Sequence, residues 1–250
     1  MKITALAASI VLLLAHSTQH RTQNYGLPAD ALIVEAQHIK SNRMLIIWML
    51  SSTKHPRELS PNDTCTCPEE TRGSYYSGRT RVSLVDTKSR SVINTVNIEQ
   101  EYIKWEDTFD IPYQIHSGSY YHVKGVPKGQ EGKPTIIQLK DYNGDGKALE
   151  FALFDALFCM GLQTTLIGYS ERQDKVIQYP IRLEVLYQGK RSIEVKHWVD
   201  YLFSEKPKRP GYWEYEIDYR GRGCLLDKYK IRYNKQAERF EGRVVRTKGD

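Results

Sequence analysis

Long apolar runs and catalytic motifs are both scarce in this chain. After residue 15 no segment approaches the roughly 20 apolar residues that a membrane-spanning helix needs. The sequence contains no His-Glu-x-x-His, no Gly-x-Ser-x-Gly and no Gly-x-Gly-x-x-Gly motif. These absences argue against a membrane span and a nucleotide cofactor, and they favour a non-catalytic protein.

Cysteines are few, and the sequence has only Cys65, Cys67, Cys159 and Cys224. In an exported chain, four cysteines allow three complete disulfide pairings. Cys65 and Cys67 are too close to bridge each other comfortably, so at least one would have to reach Cys159 or Cys224. The Cys-x-Cys pair could instead hold a soft metal, but no histidine or second cysteine pair stands at zinc spacing. We predict disulfides or free thiols.

No block of like charge stands out. The formal net charge is +6, from 36 basic and 30 acidic residues that interleave along the chain. Such a distribution is typical of a solvated basic surface and does not predict a nucleic-acid partner. A weak attraction for anionic cell-surface polymers is compatible with it.

The first 17 residues have the pattern of a secretory signal peptide. Met1-Lys2 precedes an almost wholly apolar stretch over residues 3–15, and Ala15-His16-Ser17 provides a small-residue exit. We expect a mature chain that begins near Thr18 and is secreted or periplasmic. A buried or membrane-anchoring helix is the alternative.

The rest of the sequence predicts an all-β protein. Short runs of Val, Ile, Tyr and Thr alternate with polar residues and end at turn residues. We predict a single domain over residues 18–250, with three antiparallel units of four strands each at about 31–98, 120–183 and 191–246. The predicted strands lie near residues 31–37, 44–49, 82–86 and 92–98; near 120–124, 135–139, 151–154 (or its rival 165–169) and 176–181; and near 193–198, 213–217, 229–233 and 240–245.

The second and third units align best. Residues 139–150 lie over residues 216–227, with Asp, Tyr, two Gly and Leu in common and Glu150 over Asp227. Repeats of this size predict a β-propeller-like fold, with a large β-sandwich as the alternative. Three blades are too few for a closed ring, so either a homo-oligomer or an irregular fourth blade at residues 99–133 would be needed. Chance similarity among short hairpins is the remaining interpretation.

A glycine-rich turn carries the most specific pattern. Asp141, Asn143 and Asp145 place side-chain oxygens at alternate positions, and calcium prefers six to eight oxygen ligands. The carbonyl of Lys147 and the carboxylate of Glu150 would complete the shell. The sequence therefore predicts a structural calcium site, with plain tight turns at Asn-Gly and Asp-Gly as the alternative.

The stretch Asp141-Tyr-Asn-Gly-Asp-Gly resembles the Asp-x-Asn-Gly-Asp-Gly loops of FG-GAP and VCBS-type repeats, the integrin-like propellers. The resemblance covers about a dozen residues and implies a loop between adjacent blade strands that binds calcium structurally. In that family the closing acid usually stands at the ninth position, which is Leu149 here, so Glu150 departs from the pattern. The aligned turn of the third unit carries Arg220 and Arg222, and we expect it to bind no cation.

Aromatic residues suggest where a partner would bind. Of the 17 Tyr and 4 Trp, the pair Tyr212-Trp213 follows a turn at residues 207–211 and is the candidate for contact with a glycan or a protein. Packing between strands is the alternative. The sequence thus predicts a secreted, calcium-stabilised, non-catalytic β-repeat protein. Two alternatives stay open, a secreted hydrolase with a site assembled from loops and a structural envelope protein.

Overall fold

A computed structural model describes residues 25–55, 71–98, 111–115, 135–156, 162–219 and 225–248. Every regular element in these ranges is a β-strand, which confirms the all-β class. The strands form three open sheets of four or five strands, so a closed propeller is not confirmed. The predicted signal peptide, all four cysteines, the strand near 120–124 and the Arg220–Arg222 turn lie outside the described residues.

The first sheet has the strand order β1-β2-β3-β4, with β5 also pairing with β3. Its strands are β1 (Leu32–Lys40), β2 (Arg43–His55), β3 (Thr71–Asp86), β4 (Ser91–Asn97) and β5 (Ile111–Ile115). Successive side chains of β2 point to opposite faces. Leu45 and Ile47 therefore join the main core, whereas Ile46 and Trp48 join a smaller buried cluster behind the sheet.

The second sheet has the order β11-β7-β6, and β8 pairs with β7. Its strands are β6 (Glu150–Ala156), β7 (Leu162–Ser170), β8 (Lys175–Gln178) and β11 (Val199–Asp200). Every residue of β7 is buried, because the strand is covered on both faces. The two rival strands predicted near 151–154 and 165–169 are both present, as β6 and β7.

The prediction of a strand near residues 135–139 is wrong. Residues 136–139 belong to no strand. The backbone N–H groups of Ile136 and Ile137 instead donate to the Glu35 carboxylate, at 2.6 and 3.2 Å. The Glu35 side chain, on β1, thus accepts hydrogen bonds from two backbone N–H groups that would otherwise donate to the carbonyls of a neighbouring strand.

The third sheet has the order β10-β9-β14-β13-β12. Its strands are β9 (Ile181–Tyr187), β10 (Lys190–Lys196), β12 (Tyr212–Asp218), β13 (Leu225–Asn234) and β14 (Arg239–Lys248). All neighbours are antiparallel except β14 and β9, which are parallel. The sheet therefore includes β9, which begins at the end of the second predicted unit (about 120–183) and continues beyond it.

One apolar core runs through all three sheets. It includes Leu45 of the first sheet, Phe151 of the second and Phe240 of the third, each fully buried. The Phe240 ring lies 5.3 Å from that of Phe203 and 5.7 Å from that of Trp213, centroid to centroid, in tilted to perpendicular arrangements. Aromatic edges and faces attract in such geometries, so this group closes the core beneath the third sheet.

The turn between β7 and β8 connects the second sheet to the first and to the loop after residue 140. Asp174 accepts two hydrogen bonds from the Arg43 guanidinium, at 3.0 and 2.6 Å, and Arg43 also bonds Asp86 at 2.6 Å. In the same turn, Glu171 forms an ion pair with the Lys147 ammonium.

The same turn also meets the third sheet. Glu238, in the β13–β14 turn, accepts hydrogen bonds from Ser170 at 2.6 Å and from Gln173 at 2.7 Å, and it pairs with Arg172. One short connection therefore contacts all three sheets and the candidate loop.

Candidate calcium loop and adjacent cleft

The loop that follows Lys140 is folded around the Asp141 carboxylate. Its Oδ1 accepts hydrogen bonds from the N–H of Gly144 at 2.7 Å and of Asp145 at 3.1 Å, and its Oδ2 accepts one from Gly146 at 2.9 Å. Gly144 and Gly146 have φ values of 76° and 88°, which glycine adopts without a Cβ penalty. The local sequence thus explains the tight turn.

The other two predicted oxygen ligands lie in the same loop and stabilise it in a similar way. Asn143 Oδ1 accepts from the N–H of Asp145 at 2.9 Å, and Asp145 Oδ1 accepts from the N–H of Lys147 at 2.9 Å. These short side-chain-to-backbone bonds are typical of Asn and Asp in turns.

Glu150 lies beneath the loop, where only 1% of its surface is exposed. Its Oε2 accepts from the N–H of Tyr142 at 3.1 Å, and its Oε1 accepts from Asn143 Nδ2 at 2.9 Å and from the Tyr179 hydroxyl at 3.5 Å. The pKa of Glu150 is raised to about 8, mainly by burial and also by the charges of Asp145 and Asp141, against the opposing effect of the hydrogen bonds from Tyr142 and Asn143. Glu150 therefore anchors the loop from inside the core.

These residues fit calcium in part. The side-chain oxygens of Asp141, Asn143 and Asp145 share one loop. Asp141 Oδ2, Asn143 Oδ1 and Asp145 Oδ1 each accept one of the bonds described above and keep a second lone pair, whereas Asp141 Oδ1 already accepts two. Among the described residues no basic side chain forms an ion pair with Asp141 or Asp145; the Lys147 ammonium pairs with Glu171. Glu150 directs both oxygens to protein donors and fits the anchoring role better than that of a ligand. The described residues contain no group of three or more His, Cys, Asp or Glu side chains arranged around a metal position.

The aligned position in the third unit also holds a buried acid. Lys140 bridges Glu150 in antiparallel fashion, and Ile217 pairs with Asp227 at the aligned place in the β12–β13 hairpin. Asp227 is fully buried, like Glu150, but it accepts two hydrogen bonds from the Arg246 guanidinium, at 2.8 and 2.7 Å. The two buried acids therefore differ in that, within the described ranges, Asp227 has a basic partner and Glu150 has none.

A cleft of about 260 Å³ lies between this loop and residues 203–207. The ring of Tyr142 packs edge-on against Phe203, with centroids 5.8 Å apart, and Phe203 packs in the same way on Trp213, also at 5.8 Å. The rim is polar and carries both signs of charge, with exposed side chains at Lys140, Asp141, Ser204, Glu205 and Lys206. A charged rim over an aromatic floor is a common form of small-ligand site.

The predicted ligand-binding pair does not present two exposed rings. Trp213 is fully buried, and its indole N–H donates to the carbonyl of Glu205 at 3.0 Å. Trp213 is therefore packed in the core, as in the strand-packing alternative, and supports the cleft from below. Tyr212 is partly exposed; its hydroxyl donates to Glu214 at 3.0 Å and its ring lies 5.0 Å from the Arg209 guanidinium.

The sequence did contain a signal for this burial. Glu214 and Glu216 alternate with Trp213 along β12, and acidic residues at alternate positions of a strand mark the face toward solvent. The aromatic Tyr142 and Phe203, which sequence reasoning did not select, form the upper part of the cleft floor. Phe203 lies between strands, so no periodic pattern pointed to it.

The chain matches no protein-family model, no curated protein and no solved structure. Within the part of the chain that the structure describes, no helix is long and apolar enough to cross a membrane.

Proposed function

We propose that this chain is an exported, non-catalytic β protein in which calcium stabilises the loop at residues 141–146 and the neighbouring cleft binds a glycan or a protein. The observation that carries the proposal is the concentration of acids at the loop. Burial is the main cause of the raised pKa of Glu150, the charges of Asp145 and Asp141 add to it, and neither aspartate forms an ion pair with a described residue.

A divalent cation would relieve this repulsion. Like charges near a poorly solvated site repel strongly, because the local dielectric response is weaker than that of water. Calcium accepts carboxylate and amide oxygens in flexible arrangements and is commonly completed by water and backbone carbonyls. Asp141, Asn143 and Asp145 would hold the ion, and the buried Glu150 would hold the loop.

The ion would also order one wall of the cleft. Asp141 belongs to both the loop and the cleft rim, so a stiffer loop holds the rim residues in one arrangement. Preformed sites lose less conformational entropy on binding. The mixed charges of Lys206 and Glu205 above the Tyr142 and Phe203 rings suit a small polar ligand with an apolar face, such as a sugar.

The most perturbed carboxyl group at this site has a structural use. A strongly shifted pKa often marks a catalytic acid, but networks within the fold shift pKa values too. Glu150 is 1% exposed, and its oxygens already receive the Tyr142 N–H and the Asn143 amide. This environment supports an anchoring role for Glu150 and a non-catalytic protein.

Thermal melting with and without calcium tests the proposal. We expect millimolar calcium, compared with EDTA, to raise the Tm of the parent chain by roughly 5 to 10 °C if the concentration exceeds Kd about a hundredfold. The Asp141→Asn plus Asp145→Asn variant should lose this shift. Asp30→Asn plus Glu216→Gln removes two exposed carboxylates elsewhere and serves as the matched control. An equal shift in both variants, or none in the parent, would exclude the metal site.

Screening of the calcium-loaded chain on a glycan array tests the ligand class. We expect binding that weakens when Lys206 or Glu205 is replaced by Ala, because both side chains stand at the cleft rim. An array without signal would exclude the glycan version and leave a protein partner. Binding that survives both substitutions would place the ligand outside the cleft.

A further inference from the structure

Among the described strands, β10 is an edge strand of the third sheet. β10 pairs with β9 on one side, and no strand among the described residues pairs with it on the other. The opposite edge strand, β12, has residues 200–205 packed against one face: the Trp213 indole donates to the carbonyl of Glu205, and the Tyr215 hydroxyl donates to the carbonyl of Asp200 at 3.0 Å.

The β9–β10 turn determines which backbone groups point outward at this edge. Gln188 and Gly189 form a two-residue turn with φ values of 48° and 74°, so Tyr187 and Lys190 face each other across the hairpin. In such a hairpin the residue after the turn bonds the partner strand, and the bonding direction then alternates. The N–H and C=O groups of Arg191, Ile193 and Val195 therefore point away from the sheet.

Two of these residues, Ile193 and Val195, carry exposed apolar side chains. Ile193 is 45% and Val195 is 66% exposed, and Val245, on the same outer face of the sheet, is 38% exposed. Open strand edges with apolar side chains are templates for pairing with another strand. Lysines usually discourage such pairing, and β10 has one at each end.

We propose that β10 pairs antiparallel with β10 of a second copy of this chain, centred on Ser192, to give a continuous ten-stranded sheet. In this register, Arg191 and Ile193 of the second copy form a pair whose backbone groups both point outward, as hydrogen bonding requires. Lys190 stands opposite Glu194 of the second copy. Because the arrangement is twofold symmetric, this contact between opposite charges occurs twice.

The charged side chains of β10 favour this register over the two registers centred on the next residues along the strand. Centring the pair on Ile193 would place Lys190 opposite Lys196, and centring it on Glu194 would place the two Glu194 side chains face to face. Directly opposed like charges destabilise a strand pair. Lys190 forms no ion pair within the described part of its own chain, so it is available for the contact; Glu194 bonds its own Lys196 at 3.0 Å. The pairing does not depend on calcium.

Sedimentation velocity of the full chain over a range of concentrations, in EDTA, tests the proposal. We expect reversible dimerisation of the parent chain. Lys190→Glu should weaken the dimer by about tenfold, because two attractive contacts become repulsive. Glu194→Lys should weaken it similarly. The double variant Lys190→Glu plus Glu194→Lys should return to within about threefold of the parent, since the opposite charges face each other again.

Lys175→Glu, at an exposed position of β8, is the matched charge control and should leave the dimer unchanged. Circular dichroism melting shows that each variant folds. A parent chain that stays monomeric overturns the proposal, as does a double variant that dimerises no better than either single one. Hydrogen exchange gives a second reading: the amides of Arg191 and Ile193 should exchange fast in the monomer and slowly in the dimer. Slow exchange in a monomer would show that another segment of the same chain covers the edge, and would also overturn it.

Discussion

The backbone of Gly144 lies directly against that of Gly211. A Cβ on Gly144 would stand 2.7 Å from the carbonyl carbon of Pro210, and a Cβ on Gly211 would stand 2.6 Å from the carbonyl oxygen of Asn143. Both glycines have positive φ, 76° and 69°. The candidate calcium loop is therefore seated on the connection that leads into β12.

This contact predicts a large effect of a single methyl group. Gly144→Ala and Gly211→Ala should each lower the free energy of unfolding by roughly 2 to 4 kcal/mol, through backbone strain and overpacking together. Gly146→Ala is the matched control, since it shares the positive φ of 88° but has nothing within 4 Å of its added methyl. It should cost about 1 kcal/mol. Urea unfolding measures all three, and equal losses would contradict the close packing.

Glu150 predicts an unusual dependence of stability on pH. Its pKa in the folded chain is raised to about 8 from an ordinary value of 4.5, so the folded state keeps a proton that the unfolded state releases. Between these values the stability therefore falls as pH rises. We expect the Glu150 contribution to decline by roughly 3 kcal/mol from pH 5 to pH 8 in EDTA.

Glu150→Gln provides the comparison, because the amide keeps the shape of the protonated acid and does not titrate. The difference in unfolding free energy between parent and variant should change with pH over this window in favour of the variant at pH 8. A difference that stays constant from pH 5 to pH 8 would show that Glu150 is ionised throughout.

The Asn94 side chain connects β4 of the first sheet to β8 of the second, so its removal should lower the stability of the fold. Its side-chain amide donates to the carbonyl of Val176 at 2.8 Å and accepts from the N–H of Val176 at 2.9 Å, as a neighbouring strand would. Asn94→Ala should cost roughly 2 kcal/mol, because both backbone groups of a buried residue lose their partner. Asn97→Ala, at an exposed position of the same strand, should stay within about 0.5 kcal/mol of the parent. Chemical denaturation of the two variants makes the comparison, and equal costs would contradict the role of Asn94.

The Arg43 ion pairs predict loss of stability in acid. The Arg43 guanidinium, with the Tyr169 hydroxyl, holds the pKa of Asp174 well below its usual range, and backbone N–H groups with Arg43 lower the pKa of Asp86. A carboxyl with a depressed pKa stabilises the fold above its unfolded pKa and loses this contribution as pH falls. Arg43→Gln should therefore flatten the fall in stability below about pH 4. Acid titration followed by fluorescence measures it, and parallel curves for parent and variant would contradict it.

Local patterns predicted much of the strand content because local chemistry decides it. The apolar run over 44–49 and the mixed apolar and polar residues over 82–86 predict strands that the structure contains as parts of β2 and β3. The turn at residues 141–146 was readable because Asp141 and the glycines stabilise it with their own groups. The alternation of Trp213 with Glu214 and Glu216 along β12 also predicts that Trp213 is buried. The proline-rich turn before this strand drew attention away from that signal.

The sequence does not reveal which residues that are distant in the chain come into contact. Residues 135–139 look like a strand, but Glu35, about a hundred positions earlier, takes their backbone donors. Asp174 and Glu238 read as ordinary turn residues, and only the fold brings Arg43 and Arg172 to them. Neither the parallel pairing of β9 with β14 nor the grouping of strands into sheets leaves a periodic signal.

The parallel pairing of β14 with β9 also sets an order of events during synthesis. β14 lies between β9 and β13, so the β9–β10 hairpin has no neighbour in its own sheet until residues 239–248 leave the ribosome. Until then the nascent chain carries two separate parts of that sheet, the β9–β10 pair and the β12–β13 pair, and each has a strand edge that lacks its partner. A chain released before residue 239 would keep both of these edges open, and open strand edges are templates for pairing with other chains.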